Sequence, residues 1–378
     1  MKKIMIIFGT RPEAIKLAPI VLELRKYRDV QTLVCVTAQH RQMLDQVLSL
    51  FDIFPDRDLD IMSPNQTLAD ITSKVVSGVD EILKEEQPDV MLVQGDTTTV
   101  MAASLAAFYN KVRVGHVEAG LRSHNLYAPF PEEMNRRITS MATHYHFAPT
   151  IKAKEALLNE NIPEERIYVT GNTVIDALQF IVRRPVPPMI KEMLEEKGIG
   201  ANSDGKKMVL VTAHRRENFG ERFEGICRGL KTLADRNSDI VIVYPVHLNP
   251  QVREPVFRIL AGHERIVLID PVEYDAMVHL MNSSTIILTD SGGVQEESPS
   301  LGKPVLVMRT ETERPEGIEA GTAKLVGPDA AKIVSETERL LRNKEAYDEM
   351  AVAVNPYGDG TAAQRTVKIL LSGLKRNS

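Results

Sequence analysis

Three acidic side chains, Asp96, Glu118 and Glu132, stand where an apolar stretch gives way to a loop or where a helix is predicted to begin. Carboxylates that lie close together repel one another, and this raises their pKa values into a range that is useful for moving protons. We therefore predict that the three acids form an acid–base site. A simpler interpretation stays open for two of them, since Asp96 suits the N-cap of a helix and Glu132 suits a helix start.

A second set of polar residues is suited to a diphosphate. His214 and Arg215 follow an apolar stretch that ends at Thr212, and His247 follows the next such stretch. Arginine binds phosphate oxygens through paired hydrogen bonds, and positive charge stabilises a diphosphate that leaves a sugar. We predict that His214 and the two arginines after it, Arg215 and Arg216, bind and neutralise such a group, and His247 repeats their placement after the next strand. The polar loop that ends at Arg314 is expected to close over the same ligand.

Two further basic residues, Arg11 and Lys16, stand at the start of a predicted helix. Positive charge there opposes the helix dipole, so stability alone does not explain either residue. Contact with a phosphate or a sugar does explain them. The alternative is that Arg11 forms an ion pair with a carboxylate such as Glu13.

A glycine-containing turn follows the apolar stretch 285–289 and precedes a pattern with helical spacing that begins at Val294. Backbone N–H groups at a helix start attract anions, and glycine lets a phosphate come close. Of the acids that come next, Glu296 and Glu297, we expect one to be an ordinary helix-start acid and the other to accept hydrogen bonds from a ribose. The predicted phosphate site consists of Ser291, Gly292 and Gly293.

The elements that must position these residues alternate between strand and helix patterns along the whole chain. Such alternation predicts the α/β class, with parallel sheets covered by helices on both faces. The pattern runs once to about residue 171 and then begins again, so we predict two Rossmann-like, doubly wound domains that face a central cleft. The first domain spans 1–171, the second spans 172–360, and a closing helix at 361–378 packs back on the first.

Composition narrows the choice of partners and compartment. The 378 residues include 46 basic and 51 acidic side chains, a net charge of −5, which gives no reason to expect a nucleic acid. The apolar run after Met1 is too short for a signal peptide, and no stretch reaches the length of a membrane span. Two cysteines fit a reducing cytoplasm. We find no Walker loop, nicotinamide motif or set of metal ligands, so neither a cofactor nor a metal is expected.

Six motifs in one order along the chain resemble those of the non-hydrolysing UDP-N-acetylglucosamine 2-epimerases, over essentially the whole length. The resemblance implies two domains of the glycosyltransferase-B type, a homodimer, and reversible conversion of UDP-N-acetylglucosamine (UDP-GlcNAc) to UDP-N-acetylmannosamine (UDP-ManNAc) for cell-surface polysaccharides. The motifs are FGTRPEAIK at 8–16, QGDT at 94–97, GHVEAGLR at 115–122, PEEMNR at 131–136, TAHRREN at 212–218 and DSGGVQEE at 290–297.

The resemblance also implies roles for single residues. The catalytic acids are then Asp96, Glu118 and Glu132, and the histidine on the phosphate side is His214. The glycine turn then holds the β-phosphate. Together with the loop arginines, the predicted substrate contacts are Arg11, Lys16, Arg215, Ser291, Gly292, Gly293, Glu297 and Arg314.

Some bacterial members of that family bind a second UDP-GlcNAc as an activator, which implies an allosteric enzyme. Asn65 stands where those relatives have an arginine, so the resemblance is incomplete at this site. The positions that match the activator site are Gln39, Gln42, Glu132, Arg215 and His247.

The chemistry of the sugar favours one route. The C2 proton of a GlcNAc unit is not next to a carbonyl, so an enzyme must either oxidise C3 for a time or expel UDP. Without a nicotinamide motif, we expect elimination of UDP to 2-acetamidoglucal and re-addition, and we leave open which carboxylate is base and which is acid. The rival functions are a glycosyltransferase of the same fold, a hydrolysing epimerase that releases ManNAc and UDP, and a binding module without catalysis.

Overall fold

A computed structural model describes residues 1–37, 41–63, 65–199 and 205–376, and for residues 41, 42 and 376 it describes the backbone alone. The chain divides into two compact units. Unit 1 consists of Met1–Ala177 and Tyr357–Ser378, and unit 2 consists of Leu178–Pro356. Within the described ranges, no helix is long and apolar enough to cross a membrane.

Unit 1 is built on a seven-stranded sheet in which every pairing is parallel. Its strands are β1 (Lys2–Phe8), β2 (Val30–Val36), β3 (Arg57–Asp58), β4 (Val90–Gln94), β5 (Arg113–Val117), β6 (Thr143–Ala148) and β7 (Ile167–Val169). The spatial order is β3-β2-β1-β4-β5-β6-β7, so the direction of winding changes between β1 and β4. Ligands of such sheets bind beyond the carboxyl ends of the strands at this point.

The helices of unit 1 connect successive strands. Side chains cap several of them, as where Thr67 accepts a hydrogen bond from the N–H of Asp70 at 3.1 Å. They are α1 (Arg11–Leu24), α2 (Arg41–Leu50), α3 (Leu68–Glu86), α4 (Thr98–Tyr109), α5 (Glu132–Ala142), α6 (Ile151–Asn159) and α7 (Thr173–Val182), the last of which runs on into unit 2.

Unit 2 repeats the architecture with a six-stranded, all-parallel sheet in the order β10-β9-β8-β11-β12-β13, which changes winding direction between β8 and β11. Its strands are β8 (Lys207–Thr212), β9 (Ile240–Pro245), β10 (Ile266–Ile269), β11 (Ile286–Thr289), β12 (Val305–Val307) and β13 (Ala323–Leu325). Its helices are α8 (Pro188–Glu196), α9 (Glu221–Arg236), α10 (Pro250–Leu260), α11 (Tyr274–Ser283), α12 (Gly292–Glu297), α13 (Pro315–Glu319), α14 (Ala330–Arg342) and α15 (Lys344–Ala351).

The last helix, α16 (Ala362–Arg376), belongs to unit 1. Its buried Leu370 lies against β5, where a Cβ on Gly115 would come within 3.8 Å of the leucine. The carboxylate of Asp176 accepts the N–H groups of Ala362 at 3.2 Å and Ala363 at 2.9 Å. Because the first half of α7 is tied to α16 in this way, the units divide after Ala177 and before Tyr357, a few residues from the predicted junctions 171/172 and 360/361.

The α/β class and the two Rossmann-like sheets are confirmed by this architecture. The parallel sheets are covered by helices, and their central strands are nearly fully buried, as continuous apolar stretches predict.

Candidate active site

The acids predicted in unit 1 follow neighbouring strands. Asp96 comes just after β4, Glu118 comes directly after β5, and Glu132 is the first residue of α5. The two strands pair in parallel, so the loops that follow them lie at the same edge of the sheet. Helix α5 is tied to that edge because the side-chain amide of Asn135 donates to the backbone carbonyl of Asp96 at 2.9 Å.

Glu118 accepts hydrogen bonds from side chains of three separate segments among the residues the structure describes. Lys16 Nζ and Asn172 Nδ2, the latter at 3.1 Å, donate to its Oε1, and Gln94 Nε2 donates to its Oε2. The side chain is only 7% exposed, and an ammonium and two amides donate to its oxygens. Its φ of +64° is uncommon for a residue other than glycine. Such backbone conformations persist where the surroundings fix them, and they cluster at active sites.

Asp96 forms an ion pair with Arg136, whose Nη2 lies 2.6 Å from Oδ2. The N-cap of α4 is Thr97, whose hydroxyl accepts the N–H of Val100 at 3.2 Å. The interpretation of Asp96 as a helix cap is therefore wrong, and its carboxylate faces a cation instead.

Helix α5 begins with two acids that have different surroundings. Glu133 is fully buried and accepts hydrogen bonds from Ser123 N at 2.9 Å and Arg136 Nη1 at 3.3 Å. Burial alone raises the pKa of Glu133, but these hydrogen bonds and the charges of Arg136 and Arg122 outweigh it, so the pKa is lowered. Glu132 Oε2 is buried and has no hydrogen-bond partner in the described part of the chain. Glu133 thus has a structural role, and Glu132 remains a candidate for chemistry.

The structure gives two of the three acids a basic partner. Asp96 has Arg136 as its partner and Glu118 has Lys16. Two of the three candidate acids are therefore ion-paired with basic residues. Lys16 finds a carboxylate in the protein itself, which explains a positive charge near the start of α1.

Glu13 is a residue whose part in this site sequence reasoning missed. It is 1% exposed, and it accepts the N–H of Gly9 at 3.2 Å, the N–H of Thr10 at 2.8 Å and the hydroxyl of Thr97 at 2.9 Å. Burial raises its pKa from 4.5 to about 7, against these hydrogen bonds. Glu13 therefore joins the loop after β1 to the loop after β4.

The loops of unit 2 are organised by Asp290, which sequence reasoning recorded only as part of a motif. Its carboxylate is fully buried and accepts the N–H groups of His214 at 3.0 Å and Arg215 at 2.8 Å. The side-chain amide of Asn218 donates to it at 3.3 Å. Because β8 and β11 are neighbours, with Thr212 opposite Thr289, the loops that follow them are held together at the point where the winding changes.

The glycine turn has two guanidinium groups beside it. A Cβ on Gly292 would lie 3.8 Å from Nη2 of Arg215 and 3.8 Å from Nη2 of Arg314. The Nε atom of Arg215 is buried and finds no hydrogen-bond partner within the described ranges. Ser291 is the N-cap of α12, so the predicted turn between strand and helix is present. Two arginines beside a glycine turn are suited to a diphosphate.

His214 and His247 stack on each other, with ring centroids 5.3 Å apart and planes inclined by 20°. His214 Nδ1 lies 3.9 Å from Asp290 Oδ1. Partial burial lowers the pKa of His214, and His247 and Arg215 lower it further although Asp290 acts in the opposite direction. The imidazole is therefore neutral at pH 7 and can give or take a hydrogen bond.

Glu296 and Glu297 lie at the end of α12, not in its first turn, because the helix begins at Gly292 and not at Val294. The interpretation of one of them as a helix-start acid is therefore wrong. Arg314 donates to Glu296, and the hydroxyl of Tyr274 donates to Glu297 Oε1 at 2.7 Å. Both carboxylates are therefore contacted by side chains from other elements of unit 2, Glu297 by the start of α11 and Glu296 by the residue before α13.

The structure describes only some of the predicted activator residues. Gln39 and the side chain of Gln42 lie outside the described residues. Arg215 and His247 lie in the loops after β8 and β9, and Asn65 has a φ of +59°. Among residues the structure describes, no group of three or more histidine, cysteine or acidic side chains is placed to hold a metal ion.

Comparison with known proteins identifies the family. Residues 22–371 match the model of the family described as UDP-N-acetylglucosamine 2-epimerase. The UDP-N-acetylglucosamine 2-epimerase of Salmonella typhimurium is 56% identical over 371 residues, which are 98% of this chain and 98% of that protein.

Solved structures agree with the sequence matches. The UDP-GlcNAc 2-epimerase of Neisseria meningitidis bound to UDP-GlcNAc is 51% identical with a TM-score of 0.87, covering 98% of this chain and 100% of that one. The Methanocaldococcus jannaschii enzyme in complex with UDP-GlcNAc and UDP is 35% identical with a TM-score of 0.77, covering 98% and 99%. The resemblance seen in the six motifs is thus confirmed, and the chain belongs to the UDP-N-acetylglucosamine 2-epimerase family, a family of isomerases.

Proposed function

We propose that this enzyme interconverts UDP-GlcNAc and UDP-ManNAc by eliminating UDP and adding it back. In the first step a carboxylate takes the C2 proton, the electron pair forms the C1–C2 double bond, and the C1–O bond breaks as UDP leaves. In the second step a proton returns to the opposite face of C2, and a phosphate oxygen of UDP bonds to C1. The intermediate is 2-acetamidoglucal.

This proposal rests on one observation: the loops that follow the strands of unit 1 hold acids, whereas those of unit 2 hold arginines and a glycine turn. Unit 1 offers Asp96, Glu118 and Glu132 at one edge of its sheet, and acids of this kind move protons. Unit 2 offers Arg215, Arg314 and the glycine turn, which suit a departing diphosphate.

Within unit 2, the positive side chains contact the negatively charged diphosphate of the substrate. Arg215 and Arg314 neutralise the diphosphate, and Ser291 adds a hydroxyl donor beside the turn. Neutral His214 donates a hydrogen bond to a phosphate oxygen as charge develops there. Glu297, oriented by Tyr274, accepts hydrogen bonds from the ribose.

Within unit 1, Lys16 and Arg11 contact the substrate next to the acids. The fixed and ion-paired Glu118 and Asp96 differ from Glu132, whose Oε2 has no partner in the described chain. Which of them removes the C2 proton and which returns it is a question for isotope exchange with single Asp→Asn and Glu→Gln variants.

The elimination route is tested in deuterated water. UDP-GlcNAc is incubated with the enzyme without added NAD, and the UDP-ManNAc formed is examined by mass spectrometry and proton NMR. We expect one deuterium at C2, because the returning proton comes from a group that exchanges with solvent. Product that keeps its original hydrogen at C2 would exclude this route.

The same assay separates the rival functions. A hydrolysing epimerase yields free ManNAc and UDP, because water traps the intermediate, whereas the proposed enzyme yields UDP-ManNAc. A glycosyltransferase forms neither UDP-ManNAc nor free ManNAc when no acceptor is present. A binding module turns over no substrate.

Three wider properties belong to the same proposal. The product serves cell-surface polysaccharide synthesis in the cytoplasm, the enzyme acts as a homodimer, and a second UDP-GlcNAc activates it at a site that includes Gln39, Gln42, Arg215 and His247. The last property predicts that UDP-ManNAc alone reacts slowly until a little UDP-GlcNAc is added.

A further inference from the structure

The side chain of Asn172 touches a candidate catalytic acid from an unexpected place in the chain. Asn172 is 3% exposed, and its Nδ2 donates to Glu118 Oε1 at 3.1 Å. It stands just before α7, the helix through which the chain leaves unit 1.

The chain also returns to unit 1 at this point. The N–H of Asn172 donates to the carbonyl of Tyr357 at 2.7 Å. Gly171 and Gly358 have φ values of +90° and +142°, and a Cβ on Gly171 would lie 3.4 Å from the Cα of Gly358. Two glycines therefore allow the outgoing and the returning segments to pack backbone against backbone beside Asn172.

The orientation of the Asn172 amide is fixed by its own contacts. Its Oδ1 accepts the N–H of Val174 at 3.1 Å, at the start of α7. Since the oxygen faces the helix, the NH₂ group must face Glu118.

The donors of Glu118 differ in how firmly they hold it. Lys16 carries its ammonium on a flexible stem, so it can follow a carboxylate that turns. The amides of Gln94 and Asn172 reach different oxygens, Oε2 and Oε1, from separate segments of the chain. Together they define the plane of the carboxylate.

We propose that Asn172 is a positioning residue that fixes the Glu118 carboxylate from the point where the two connecting segments meet. The inference rests on the function proposed above, because the placement matters only if Glu118 acts on substrate. Asn172 itself need not touch the sugar.

The test uses Asn172→Asp in the full-length enzyme. Aspartate keeps an oxygen that accepts the N–H of Val174, so the start of α7 is preserved. It replaces the amide donor by a carboxylate oxygen that repels Glu118. We expect kcat to fall by about tenfold to a hundredfold, as for a catalytic group displaced by about 1 Å, while KM changes by less than about threefold.

Asn110→Asp is the matched control. Asn110 Nδ2 also donates to a carboxylate, Asp80 Oδ1 at 2.7 Å, but at the end of α4 and away from the candidate acids. This variant should keep the kcat of the wild-type enzyme. If both variants lose the same share of activity, the loss at Asn172 is a general effect on unit 1 and the proposal fails.

A double variant separates positioning from a merely structural role. If Asn172 acts through Glu118, adding Asn172→Asp to Glu118→Gln should cost little further activity, because the carboxylate it positions is already gone. If the fold-loss of kcat in the double variant equals the product of the losses in the two single variants, the proposal is contradicted.

Crystal structures decide the matter even if the wild-type enzyme proves unable to form UDP-ManNAc. That failure would overturn the proposed function and not the contact itself. In Asn172→Asp we expect the Glu118 carboxylate to turn away from its wild-type place by about 1 Å or more. A carboxylate that stays in place would overturn the positioning role.

Discussion

Buried carboxylates in this enzyme organise loops as well as offering candidates for proton transfer. Asp290 and Glu133 are fully buried; Asp290 accepts the N–H groups of His214 and Arg215, and Glu133 accepts the N–H of Ser123. Glu13 does the same at the first βα loop, but its pKa is raised to about 7 by burial. Neutral or charged, such acids determine where Arg215, Asp96 and Lys16 stand, so substitutions at them affect activity through position.

Glu13 predicts a dependence of stability on pH. Because the folded pKa is raised above the ordinary value of 4.5, the folded protein binds more protons than the unfolded chain between about pH 4.5 and pH 7. The contribution of Glu13 to stability is therefore greatest below this window and falls as the pH rises through it. Glu13→Gln mimics the protonated acid, so it should gain stability relative to wild type between pH 5 and pH 8, by about 3 kcal/mol at most.

The measurement is urea unfolding of both proteins at the two pH values. Glu81→Gln, an exposed position on α3, is the control and should show the same pH dependence as wild type. A Glu13→Gln variant whose stability relative to wild type does not change with pH would show that Glu13 is not held with a raised pKa.

The candidate active-site residues were easier to locate from the sequence than the side chains that hold them. Asp96, Glu118 and His214 could be predicted because each polar side chain follows an apolar strand. Gln94, Asn172 and Asp290 carry the same signal, but their partners come from distant parts of the chain. Asn172 and Glu118 are 54 positions apart, and no local pattern shows that they meet.

At the scale of elements, long apolar stretches were predictable and short ones were not. The strands β3 and β13, of two and three residues, do not stand out from their loops. The start of α12 was misjudged because Gly292 and Gly293 disfavour helix, yet both adopt it here. Packing around the turn overrides that preference.

Helix α16 gives a prediction at this scale. Asp176 accepts the first two N–H groups of the helix, which have no partner within it. Asp176→Ala should destabilise unit 1 by about 1 kcal/mol and speed up amide exchange at the start of α16. Hydrogen–deuterium exchange with peptide-level mass spectrometry measures this directly.

Asp329→Ala provides the comparison, since Asp329 caps α14 in unit 2 by accepting the N–H of Lys332 at 2.7 Å. That variant should loosen α14 and leave α16 unchanged. Unaltered exchange at α16 in Asp176→Ala would mean that apolar packing alone holds the helix end.

For the whole molecule, each unit has a hydrophobic core of its own, one around Ile7 in unit 1 and one around Ile242 in unit 2. If the glycine turn binds the diphosphate, UDP should stabilise unit 2, by about 2.7 kcal/mol at a concentration one hundred times its Kd. Calorimetry with and without UDP measures the shift.

Two matched variants identify the transitions. Ile7→Val and Ile242→Val remove the same methylene from fully buried positions, and each should lower the melting temperature of its own unit. We expect UDP to raise the transition that Ile242→Val lowers. A rise confined to the transition that Ile7→Val lowers would place UDP binding in unit 1.

Unit 1 is interrupted in sequence by the whole of unit 2, and this has a consequence during translation. The ribosome makes most of unit 1 first, yet α16 with its buried Val367, Leu370 and Leu374 emerges only after unit 2 has been synthesised. Until then, the apolar surface of the nascent first unit that awaits this helix is open to water and to chaperones. Unit 1, whose synthesis begins first, is thus the last of the two units to finish folding.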